Sequence, residues 1–72
     1  MLKCKIVLQN STDKKPYMWA YWVKNEGEII CSGGLYYSIY PNQTEAIKAI
    51  KKEIENRVEM ENYNINDIEF DY

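Results

Sequence analysis

The sequence predicts an α+β domain of order β-β-β-α-β: an antiparallel three-strand meander, a crossover helix and a fourth strand, with the helix on one sheet face. Three observations carry this reading. Apolar residues alternate with polar ones in the stretches that begin at Leu2 and Ile65, and the stretches that begin at Tyr17 and Glu28 are joined by a short turn. The period lengthens to three and four residues between Asn42 and Val58. Finally, 72 residues leave room for a single small domain spanning 1–72, and 46% hydrophobic content is enough for a core.

The first strand is expected over Leu2–Leu8, where Leu2, Cys4, Ile6 and Leu8 form one apolar face. Residues 9–16 are rich in turn formers and read as a loop. The second strand is expected over Tyr17–Lys24. Tyr17, Trp19, Tyr21 and Val23 lie on one face, and Met18, Ala20 and Trp22 on the other, so both faces are apolar. Asn25-Glu26-Gly27 is a hairpin connection, with Gly27 suited to left-handed backbone. The third strand starts at Glu28 and runs to Tyr37 or Tyr40, interrupted by Gly33-Gly34, a pair that marks a bulge or a close approach of other atoms.

Asn42 followed three residues later by Glu45 is close to a capping box and opens a helix expected over 43–60. Ile47, Ile50, Ile54 and Val58 form its apolar stripe. A polar loop at 61–64 leads to the last strand, 65–72, in which Ile68, Phe70 and Tyr72 alternate with Asp67, Glu69 and Asp71. A crossover joining parallel strands is right-handed. One helix covers one face of a four-stranded sheet, yet the second strand presents large apolar groups on both sides. The mismatch predicts a second layer from another chain, most simply a homodimer. The expected partner or dimer interface is Trp19, Tyr21, Trp22, Tyr36 and Tyr37.

Composition narrows the chemistry. Without a histidine there is no Ser-His-Asp or Cys-His catalysis, no His-ligated zinc and no His-based pH switch. A net charge of −2 gives no overall basic excess to drive nucleic-acid binding. Lys3, Lys5, Lys14 and Lys15 with the aromatics of the second strand still offer an alternative nucleic-acid-binding surface. From Glu59 onward there are acidic residues and no basic one. Cys4 and Cys31 fall in apolar segments without a CxxC motif and read as buried, reduced thiols. Neither a signal-peptide core nor a membrane-spanning run is visible, so the expected location is cytoplasmic, with no membrane partner and no cofactor.

Several stretches carry a family resemblance. Cys4 to Ser11, Met18 to Val23, Ile30 to Leu35, Asn42 to Ile50 and Asp67 to Tyr72 together resemble the front half of a ribonuclease H-like domain, and the related small HicB-type antitoxin domain. The resemblance implies catalytic carboxylates at three positions. Glu45 and Asp71 match two of them, while Asn10 stands where the first aspartate belongs. Two-metal chemistry relies on several charged oxygen ligands, so the amide of Asn10 disfavours a metal-dependent nuclease. The expectation is a non-enzymatic interaction or regulatory module that self-associates through the open sheet face. The HicB-type resemblance implies a toxin-like protein partner, and the small size and acidic end fit a phage or mobile-element protein that binds a host factor.

Overall fold

The computed structural model describes residues 1–72. Strands β1 (Leu2–Asn10), β2 (Pro16–Asn25) and β3 (Glu28–Tyr36) form the antiparallel meander. Helix α1 (Gln43–Glu55) leads through two single 3₁₀ turns to β4 (Ile68–Asp71). The sheet order is β3-β2-β1-β4, and β4 lies parallel to β1. The α+β class and the β-β-β-α-β order are those the periodicity implies.

The β2–β3 hairpin turns on Glu26 and Gly27, both at positive φ (52° and 90°), the backbone that a two-residue turn needs to match strand twist. Helix α1 begins at Asn42, whose side chain accepts hydrogen bonds from the backbone N–H groups of Thr44 (2.9 Å) and Glu45 (3.3 Å).

The helix ends five residues before the expected position, at Glu55 instead of residue 60. Asn56 caps it, its side-chain amide donating to the Lys52 carbonyl at 3.0 Å, and Arg57 then adopts extended backbone. The stripe therefore loses Val58, which is 71% exposed, and Met60 fills the core in its place at 5%. β3 stops at Tyr36, and β4 starts at Ile68 instead of residue 65, because Ile65–Asp67 form a 3₁₀ turn capped by Asn64.

The core lies between α1 and the sheet. Leu2, Cys4, Ile6, Trp19, Tyr21, Val23, Cys31 and Ile68 meet Ala46, Ile47, Ile50 and Ile54 of the helix. The register puts Cys4 beside Val23, and Val23 beside Cys31. The two thiols therefore sit two strands apart, about 10 Å, beyond the reach of a disulfide. Both are free and buried. Burial, with a smaller contribution from Cys31, pushes the Cys4 thiol up to about 12. No helix is long and apolar enough to cross a membrane.

Candidate functional site: the uncovered sheet face

The register fixes what the opposite sheet face displays. Side chains directly across from one another share a face, so this surface reads as four rows running across the strands. The first is Ile29, Lys24, Lys3 and Glu69; the second is Ser32, Trp22, Lys5 and Asp71. The third is Gly34, Ala20 and Val7, and the fourth is Tyr36, Met18 and Gln9. The first row is mainly charged, the third and fourth mainly apolar. Trp22 lies at their boundary.

The apolar rows are only partly shielded. Val7, Met18 and Trp22 are half-buried, and Tyr36 and Ile29 are 54% and 60% exposed. Ala20 is buried, yet it stands apart from the main core cluster, because its neighbours on its own face cover it. Met18 lies over Gly34, where a Cβ would collide with the Met18 methyl. The Tyr36 ring also meets Tyr17 edge-on, with centroids 5.8 Å apart.

Charge is placed close to this patch. Lys5 and Asp71 are 4.0 Å apart and both exposed, a contact worth little by itself. Lys3 and Lys24 face each other across β1 and β2. No carboxylate lies within 4.0 Å of either ammonium.

The five aromatics expected at an interface do not lie on one face. Trp19 and Tyr21, 6% and 1% exposed, belong to the core beneath α1. Trp19 donates its indole N–H to the Tyr40 carbonyl at 2.7 Å and packs on half-buried Tyr37, centroids 6.3 Å apart. The reason is the period of the strand: odd-numbered β2 residues share the helix side with Val23. Only Trp22 and Tyr36 of the five stand on the uncovered face.

No family model, curated protein or solved structure matches the chain. Its geometry is therefore the ground for a functional reading. Of the three positions matched to catalytic carboxylates, Asn10 and Asp71 are not brought together. Asp71 is in register with Lys5, five residues before Asn10. At about 3.3 Å per residue they stand about 16 Å apart. Glu45 is exposed on the first turn of α1, its backbone held by Asn42. No group of three or more His, Cys, Asp or Glu side chains is placed to hold a metal ion. The lysines are divided as well: Lys14 and Lys15 lie in the β1–β2 loop, at the other end of β1 from Lys3. That separation is about 23 Å along the strand.

One arrangement has no counterpart in the sequence reading. Arg57, the chain's only arginine, reaches from the end of α1 to the sheet. Its Nη1 donates to the Tyr21 hydroxyl (3.0 Å) and to the Ser32 carbonyl of β3 (2.9 Å), and its Nη2 pairs with Glu59 at 2.6 Å. Tyr21 donates to Glu53 at 2.8 Å. Burial and the Glu53 bond raise the Tyr21 phenol above its ordinary range. The bond from Arg57 holds the Glu59 carboxyl below its own. The clasp satisfies a β3 carbonyl and anchors the chain after the helix. The only sequence sign of it is an isolated Arg just past a helix stop.

Proposed function

We propose that the chain is a protein-interaction module whose uncovered sheet face binds a second copy of itself. The observation that carries this reading is the row of Val7, Ala20 and Gly34, flanked by Trp22, Met18 and Tyr36, on the face that α1 leaves open.

The rows also suit self-pairing. A two-fold axis across the strands at the Ala20 row sets Trp22 of one copy over Met18 of the other, with the sheets about 10 Å apart. Lys3, Lys24 and Glu69 then fall at the rim, and the apolar rows fill the centre, the usual anatomy of an interface. The opposite alignment, about an axis along the strands at the sheet centre, would put Lys3 over Lys24 and is disfavoured by repulsion.

The division of the lysines between the two ends of β1 supports this reading over an extended nucleic-acid surface. The same element order supports the ribonuclease H-like or HicB-like resemblance, and the separation of Asn10 from Asp71 gives that reading no shared carboxylate site. Sedimentation equilibrium tests the proposal. The parent chain is expected to be a dimer at micromolar concentration, and Trp22→Glu, with unchanged circular dichroism, a monomer. A parent that stays monomeric at hundreds of micromolar would sink it.

A further inference from the structure

Between the charged row and Trp22 the sheet face is concave, enclosing about 270 Å³. Its walls are Lys3, Lys5, Lys24, Glu69 and Asp71, with Trp22 on the floor. Two features of this hollow lack an explanation in the fold. Directly opposed like charges destabilise a strand pair, and Lys3 and Lys24 are such a pair. Glu69 is in register with Lys3 but does not come within 4.0 Å of it, so neither ammonium is held in an ion pair. Trp22, one row away, is half-buried and leaves part of its ring surface open. Rows on one face are separated by about 6.6 Å along a strand. A group that joins an anion to a planar ring would span that step.

We infer that the hollow is a binding site for a nucleoside monophosphate, the phosphate between the ammonium groups of Lys3 and Lys24 and the base stacked on Trp22. Lysine donors meet phosphate as point charges, and base-on-tryptophan stacking is tolerant of ring identity. Glu69 lies beyond Lys3 in the phosphate's own row and Asp71 beyond Lys5 in the row of Trp22, so the two carboxylates bound the site on the β4 side. The site shares Trp22 with the self-association face, so a bound nucleotide displaces the second copy. Lys24 lies only at the rim of the self-association face, where a charge contributes little to pairing, but it holds the phosphate directly, which keeps the two readings separable.

The test is a titration of the full chain with adenosine monophosphate, and separately with inorganic phosphate and adenosine, followed by amide and indole N–H resonances. The nucleotide should move the Trp22 indole and the Lys3 and Lys24 amides saturably. Phosphate alone should move only the two lysines, with affinity weaker by about tenfold or more. Lys24→Glu replaces the like-charge pair with an opposite-charge one, so the fold is retained. It should weaken nucleotide binding by about tenfold or more while remaining a dimer if the parent is one. Lys15→Ala should change nothing. The inference is overturned if millimolar nucleotide leaves the Trp22 indole unmoved, if phosphate binds as tightly as the nucleotide, or if Lys15→Ala weakens binding as much as Lys24→Glu.

Discussion

Gly33 sits beneath the ring of Tyr21, and replacing it with alanine tests whether that contact holds the covered face together. A Cβ at Gly33 would lie 2.6 Å from Tyr21 Oη and 2.8 Å from Cζ. The ring has nowhere to retreat: Tyr21 is 1% exposed, and its hydroxyl is tied to Glu53 and Arg57. Overpacking costs about 1–3 kcal/mol. Displacing a hydrogen bond to a charged group adds roughly 1.5 kcal/mol at the low end suited to this part-buried position. Restricting the unfolded chain returns about 0.4–1 kcal/mol, since the backbone at Gly33 is not left-handed. The net expectation for Gly33→Ala is about 2–3 kcal/mol of lost stability, or more than about 10 °C in Tm for a domain of this size. Gly34→Ala supplies the comparison. There the Cβ meets mainly the Met18 methyl, the flexible end of a half-buried chain, with the Trp19 carbonyl at 3.1 Å. That variant should lose no more than about 1 kcal/mol. Urea unfolding of both proteins, and of Gly33→Ala in a Tyr21→Phe background, decides the matter. Freed of its hydroxyl tether, the ring can shift, so the glycine substitution should cost less by at least about 0.5 kcal/mol. Equal losses for the two glycines, or strict additivity with Tyr21→Phe, would refute the reasoning.

Other substitutions and conditions probe separate parts of the fold. Asn42→Ala removes the side-chain acceptor of two helix N–H groups and should cost about 1 kcal/mol in urea unfolding, with Asn42→Asp close to the parent. Met60→Ala should cost about 2–5 kcal/mol, whereas Val58→Lys should be neutral. The reverse ranking would mean that the helix continues past Glu55. Stability should also fall in alkali. The Cys4 thiol is raised in the folded chain from 9.0 to about 12, so its contribution is complete below pH 9 and disappears as pH rises through about 12. The raised Tyr21 phenol acts in the same direction. Urea midpoints that stay flat from neutral pH to well above pH 9 would contradict both.

The strands and the start of the helix were legible because their signals are local. Leu2, Cys4 and Ile6 alternate regardless of what they pack on, and Asn42 caps with atoms of its own turn. The end of the helix was not legible. Val58 continues the apolar spacing, but Arg57 leaves the helix to reach Tyr21 and Ser32, residues more than twenty positions away in sequence. A one-dimensional period holds no trace of such a tie. The candidate surface was legible in part. Alternation separates Trp22 from Trp19 and Tyr21, yet aromatic content alone grouped them, and only the register places Tyr36 beside Met18 and Lys24 opposite Lys3.

The two glycines of β3 and the arginine after α1 together explain why the sheet has unlike faces. Gly33 allows Tyr21 to lie flat on the helix side, and Arg57 and Glu53 satisfy its hydroxyl there, so the covered face keeps its one buried phenol without an unpaired polar atom. Gly34 does the opposite service across the sheet. By lacking a side chain it lets Met18 fold down, which leaves a low, apolar surface between Trp22 and Tyr36. A larger residue at 34 would raise Met18 and roughen the surface on which a second copy or a planar ring would sit. Gly34→Ala is thus expected to leave the fold nearly intact while weakening whatever binds the open face. Gly33→Ala should damage the fold first. The contrast between adjacent residues would separate the face that carries stability from the face proposed for recognition.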